Sequence, residues 1–163
     1  MTSETPDSRI QVGESAPDFA LYDHDGEPWR LSDHRGRPVV LLFFPGAFTS
    51  VCTDELNTVN NHLSDFDGTE VVGLSTDSPF VLDEFRSVHE LEFPLLSDHD
   101  AEVARLYEAK YDDNFTPMKL DRIAKRAAFV VDGEGVIQYR EVLDNAGKQP
   151  DLDRIRTVVN ELS

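Results

Sequence analysis

Hydrophobic and polar positions change period several times along the chain, and each change predicts an element. Residues 38–44, PVVLLFF, form an unbroken apolar run closed by Pro45. The run is too short for a helix and rich enough in β-formers for a strand buried on both faces. Over residues 50–66 the apolar positions Val51, Leu56, Val59, Leu63 and Phe66 recur at helical spacing, so a helix is expected to follow that strand. Residues 69–76, TEVVGLST, read as a second buried strand. Ser78-Pro79 then supplies a cap and a first-turn proline for a helix reaching about residue 90. Residues 93–97, FPLLS, predict a third short strand, and Asp100 the cap of a helix through Val103, Leu106 and Tyr107.

β-rich runs at 127–131 and 136–142 flank Asp132-Gly133-Glu134-Gly135, a hairpin signal. Leu152, Ile155, Val158, Val159 and Leu162 make one stripe of a closing amphipathic helix. Near the start, alternation over 18–22, a turn at Asp25-Gly26 and resumed alternation at Trp29 and Leu31 predict an edge hairpin. Residues 1–9 are polar and aperiodic, a flexible tail, leaving 10–163 as the single expected domain. Residues 108–123 show no clean period. The order βαβαβ, hairpin, helix predicts an α/β fold: a central mixed sheet flanked by helices on both faces, with an N-terminal hairpin. A thioredoxin-like architecture resembles it most closely.

Charge narrows the function. Thirty-two acidic residues against 15 Lys plus Arg give a formal charge of −17 over 163 residues. A polyanion without a basic stripe is repelled by phosphate backbones, so nucleic acid is excluded as a partner and membrane surfaces are disfavoured. The acidic residues are scattered, and few of the basic ones are Lys, a surface suited to high salt and the basis for expecting a halophilic source. The alternative is an ordinary acidic protein of the cytosol. No segment has the length and apolarity of a membrane span and no basic, apolar leader opens the chain, so a cytoplasmic location is expected.

One cysteine, Cys52, cannot form an internal disulfide. A lone cysteine is more often a small buried hydrophobe than a nucleophile. This one falls at the start of the helix that follows the buried strand, where unpaired N–H groups and the macrodipole favour an anion, and the thiolate is the nucleophilic form. Thr49 lies three residues before it and brings a hydroxyl to the same turn. Pro45 ends the strand and can shield the pocket. Glu55 stands three residues after the cysteine, on the same side of the helix. A carboxylate there opposes the thiolate unless a cation intervenes, and Arg126, immediately before the predicted strand 127–131, is the candidate.

The stretch FFPGAFTSVCTDEL, with Pro-x-x-x-Thr-x-x-Cys and Glu three further on, resembles the active-site signature of the peroxiredoxins, the alkyl hydroperoxide reductase and thiol-specific antioxidant family. VGESAPDF, FPLLSD and RAAFVVDGEGVIQY resemble further segments of that family, so the likeness spans nearly the whole chain. The resemblance implies a thioredoxin fold and a thiol-dependent peroxidase needing no cofactor besides an external thiol. By it, Cys52 is the peroxidatic cysteine, Thr49 and Arg126 bind and polarise the peroxide, Pro45 shields the pocket and Glu55 orients the arginine. Many members carry a resolving cysteine five residues after the first or near the C-terminus. Asn57 and a cysteine-free tail occupy those places here, which implies the one-cysteine mechanism. A thioredoxin-like protein or a low-molecular-weight thiol is then the expected reductant. Homodimers are common in the family, and Phe48, Phe80 and Tyr107 are the apolar candidates for such a surface.

Other readings compete. A thiol-disulfide oxidoreductase on the same fold lacks its usual C-x-x-C pair, and a redox-sensing or chaperone-like role would also use Cys52. Asp23-His24-Asp25 and Asp98-His99-Asp100 hold metal-ligand types, but adjacent residues seldom converge on one ion, so both are read as solvated loops and no metal is expected. His34, His62 and His89 are read as surface positions.

Overall fold

The computed structural model describes residues 10–111, 122–145 and 147–162. The expected tail over 1–9 lies outside them, as does most of the aperiodic stretch over 108–123. Seven strands form one mixed sheet in the order β2-β1-β5-β4-β3-β6-β7. They are β1 (Ala20–Asp23), β2 (Pro28–Arg30), β3 (Val39–Phe43), β4 (Glu70–Ser75), β5 (Leu95–Ser97), β6 (Arg126–Val131) and β7 (Ile137–Leu143). The helices are α1 (Ser50–Asn61), α2 (Pro79–Val88), α3 (Glu102–Leu106) and α4 (Leu152–Glu161). β3, β4 and β5 run parallel, β6 returns antiparallel to β3, and the β1–β2 hairpin closes the far edge.

Every residue of β3 and β6 is buried, because both faces of the sheet are covered, and the period of two sorts their side chains. Val40, Leu42, Phe44, Ala128 and Val130 face a layer built from α1, α2 and α4 through Leu56, Val59, Leu82, Phe85, Ile155 and Val159. Val39, Leu41, Phe43, Phe129 and Val131 face Phe19, Trp29, Leu31 and the Val103–Ala104 side of α3. Burying each such Leu or Phe contributes about 1.5–3 kcal/mol. Gly73 in β4 is a close-approach glycine: a Cβ there would lie 2.9 Å from Leu95 Cδ2 and 3.2 Å from Phe44 Cε1. The small residue lets Phe44 cross the strand just before the chain leaves the sheet at Pro45.

Several local expectations shift. α1 stops at Asn61, and Leu63–Phe66 form a separate 3-10 turn that still buries Phe66. Ser78 caps α2 as its sequence suggests, its Oγ accepting from Val81 N at 3.3 Å. Asp100 does not cap α3. Asp98 does, its carboxylate accepting from Val103 N at 3.0 Å and Ala104 N at 2.8 Å. The chain reaches α3 through Ala101 in the left-handed region, φ 59°, and this bend brings the earlier aspartate over the helix start.

Tyr107 is no surface residue: it is fully buried, packs on Phe19, Phe43 and Phe129, and donates its hydroxyl to Pro17 O at 2.6 Å. Nor are both Asp-His-Asp segments solvated. Asp98 is buried, His24 Nδ1 accepts from Leu95 N at 3.4 Å, and Asp23 accepts from Asp25 N and Glu27 N. His34 stacks on Trp29 at 4.5 Å and His89 lies edge-on to Phe85 at 4.9 Å, so of the three histidines read as surface positions only His62 is exposed.

Candidate active site

β3 delivers the chain to the site. Phe43 ends the strand opposite Ala127 of β6, so Arg126 falls just past that pair, beneath the connection from β3 to α1. Alternation along β6 turns Arg126 to the same face as Ala128 and Val130, the face that α1 covers. Pro45 breaks the strand, Thr49 occupies the N-cap position of α1, and Cys52 is the third residue of the helix.

The structure brings three of the five sequence candidates together inside the protein. Cys52 is 1% exposed, Glu55 3% and Arg126 1%. Arg126 donates to Glu55 Oε1 at 2.7 Å and lies close enough to Cys52 to interact with it electrostatically. One guanidinium thus pairs with a carboxylate and has the thiol within its field, and its planar fork leaves further donors for a ligand. Burial opposes the charge of Arg126, but Glu55 and then Cys52 outweigh it, so its proton is held more tightly than usual. Burial pushes the Glu55 carboxyl from 4.5 up to about 7, against the pull of Arg126 and with a smaller push from Glu141. The second oxygen, Glu55 Oε2, is buried with no hydrogen-bond partner among the described residues.

Thr49 and Pro45 form the outer side. Thr49 is exposed and Pro45 half-buried. The Thr49 hydroxyl makes no cap bond and instead donates to Gly46 O at 2.8 Å. With its proton committed there, Oγ is left to the site as an acceptor. The first-turn N–H groups of α1, which no carbonyl of the helix itself can satisfy, lie at the same end of the helix. Phe48, between them, is held at φ 65° and is 51% exposed.

Two residues escaped the sequence reading. Tyr111 lies close enough to feel both Arg126 and Cys52, and burial holds its phenol above the ordinary tyrosine range. It sits at the edge of an aperiodic stretch and gave no signal. Asp77 accepts from Ala47 N at 2.7 Å, tying the loop before Cys52 to the end of β4. In the sequence it looks like one of many turn aspartates.

Known proteins share this arrangement of chain and sheet. The AhpC/TSA family matches residues 12–140. A putative peroxiredoxin of Mycobacterium tuberculosis is 41% identical over 135 residues, covering 82% of this chain and 85% of that protein. Peroxiredoxin Bcp of Escherichia coli is 33% identical over 132 residues, with 80% and 84% covered. The crystal structure of peroxidoxin BcpB from Mycobacterium tuberculosis superposes with a TM-score of 0.80 at 29% identity, covering 94% of this chain and 99% of that one. A peroxiredoxin-like protein from Aquifex aeolicus gives a TM-score of 0.86 at 22% identity over 96% and 90% of the two chains, a likeness of fold alone. With the family match spanning most of the sequence and relatives above 30% identity along the same stretch, the chain belongs to the AhpC/TSA family, the peroxiredoxins.

Proposed function

We propose that this thiol-dependent peroxidase works through Cys52 as its peroxidatic residue, in a one-cysteine cycle. The buried Arg126–Glu55 pair, with the lone Cys52 thiol within its electrostatic reach, carries the assignment: a buried cation beside a lone thiol and a buried carboxylate has no use in packing. The Cys52 thiolate attacks the distal oxygen of a hydroperoxide and forms the S–O bond as the O–O bond breaks. The released electron pair goes to the proximal oxygen, which leaves as water or an alcohol after taking a proton. Arg126 stabilises the charge spread over the two oxygens, and Thr49 Oγ accepts from the peroxide O–H and fixes its orientation. Glu55 fixes the plane of the guanidinium, and Pro45 covers the sulfur.

The product is a Cys52 sulfenic acid. Because Cys52 is the one cysteine in the sequence, the thiol that condenses with it comes from another molecule, a thioredoxin-like protein or a small thiol. A second thiol then releases Cys52 from the mixed disulfide. The electrons come from these thiols, and the cycle calls on no bound cofactor. The thiol-disulfide oxidoreductase reading is less well supported, since it needs a second cysteine that the sequence lacks. No helix among the described residues is long and apolar enough to cross a membrane. Exposed Phe48, in the loop before Cys52, and exposed Phe80, on α2, suit a homodimer contact.

Intact mass after one equivalent of hydrogen peroxide tests the assignment. A gain of one oxygen, lost in Cys52→Ser, is expected, together with a second oxygen when peroxide is in excess and no thiol is present. An unchanged mass in the folded protein overturns it.

A further inference from the structure

The loop from Pro45 to Thr49 carries one peptide group that is gripped at both ends. The Gly46 carbonyl accepts from the Thr49 hydroxyl at 2.8 Å. The N–H of the same peptide belongs to Ala47 and donates to Asp77 Oδ2 at 2.7 Å. A peptide is planar, so its N–H and C=O cannot turn independently. Whatever fixes the Ala47 N–H therefore fixes where the Gly46 oxygen points, and with it the rotamer of Thr49.

Asp77 is itself anchored in the sheet. Ser75, the last residue of β4 and 1% exposed, donates its hydroxyl to the same Oδ2 at 2.7 Å and accepts from Asp77 N at 3.2 Å. Ser97, at the end of β5, donates to Asp77 O at 2.7 Å. No Arg, Lys or His among the described residues forms an ion pair with Asp77. Its carboxylate is met by the Ala47 N–H and the Ser75 hydroxyl, and such bonds to a carboxylate are short and directional. The next residue but one in the loop, Phe48, sits at φ 65°, which a non-glycine residue adopts rarely. An unanchored loop would relax away from that conformation.

We infer that Asp77 is a positioning residue for the peroxidase reaction: it sets the Thr49 hydroxyl through the Gly46–Ala47 peptide, as Glu55 sets Arg126 from the other side of Cys52. The inference rests on the peroxidase reading above. Asp77 does not touch the sulfur and supplies no proton. Its removal frees the peptide to rotate, so Thr49 Oγ no longer holds one direction, while Cys52 and Arg126 stay where α1 and β6 place them.

The test compares two second-order rates of Cys52 in the full chain, with hydrogen peroxide and with iodoacetamide, an electrophile that the same sulfur attacks, displacing iodide, without needing Thr49. Asp77→Ala is expected to slow the peroxide reaction by about ten-fold or more and to leave alkylation within about two-fold. Thr49→Val is expected to cost several-fold less in the Asp77→Ala background than in the wild type, because the two act on one geometry. Asp77→Asn keeps an acceptor for Ala47 N–H and should restore most of the rate. If Asp77→Ala does not fold, Asp77→Glu carries the test, since its longer arm displaces the peptide and should give the same selective loss. An unchanged peroxide rate, a parallel fall in both rates, or full additivity with Thr49→Val overturns the inference alone. A wild-type Cys52 that takes up no oxygen overturns the peroxidase reading and the inference with it.

Discussion

Glu55 and Arg126, 71 residues apart in the chain, meet at 2.7 Å with their side chains 3% and 2% exposed. Two ions taken out of water gain little net stability from one another, because desolvation offsets their attraction, but removing either strands its partner. Arg126→Met is therefore expected to cost about 3–5 kcal/mol in denaturant unfolding and to slow Cys52 oxidation sharply. The double variant Arg126→Met/Glu55→Gln should regain most of that stability and none of the rate. Recovery of both together would show that the arginine serves the fold alone.

The same pair sets a pH dependence of stability. Burial raises the Glu55 carboxyl from 4.5 in the unfolded chain to about 7, so the folded protein holds this proton more tightly. Its contribution is fully present below about pH 4.5 and is lost as pH rises through 7. The difference corresponds to about 3 kcal/mol. Urea unfolding across that window should show the wild type losing stability relative to Glu55→Gln as pH rises. Parallel curves for the two proteins would mean that Glu55 stays ionised throughout.

How far the sequence anticipates the molecule depends on the range of the interaction. β3 and β4 show as apolar runs, α2 is marked by Ser78-Pro79, and the β6–β7 hairpin by its glycine turn, because each rests on neighbours in the chain. The core of the site is legible too, since Cys52 and Glu55 share one turn of α1 and Arg126 stands at the start of a β-rich run. The contact itself depends on the antiparallel register that sets Phe43 against Ala127, a non-local fact that no spacing announces. Asp77 and Tyr107 stay hidden for that reason. One is a turn residue until the loop 30 positions earlier folds over it. The other reads as an apolar surface residue at the end of a short helix until the Pro17 carbonyl, 90 positions away, takes its hydroxyl.

Asp98 is a second case of position decided by a bend. Its carboxylate satisfies two first-turn N–H groups of α3, at 3.0 and 2.8 Å, from a site 2% exposed. Two buried donors lose their acceptor in Asp98→Ala, at about 1–3 kcal/mol each before water enters. Asp100→Ala removes no cap and should stay within about 0.5 kcal/mol of the wild type. Thermal unfolding of the two variants separates them, and an equal effect would return the cap to Asp100.

Salt acts on the surface in two opposed ways. It weakens exposed pairs such as Arg30–Asp18, Arg105–Glu102 and Lys125–Asp144, each contributing at most about 1 kcal/mol. It also screens the mutual repulsion of 17 uncompensated negative charges spread along the chain. At 1 M salt the Debye length is about 3 Å, so repulsion between exposed carboxylates collapses while buried Glu55–Arg126 is nearly untouched. The excess of acidic over basic residues makes repulsion the larger of the two contributions. Unfolding midpoints should therefore rise steadily between about 0.1 and 1 M potassium chloride, with little further effect of an uncharged solute at matched osmolarity. A midpoint that falls with salt would mean that the surface pairs outweigh the repulsion.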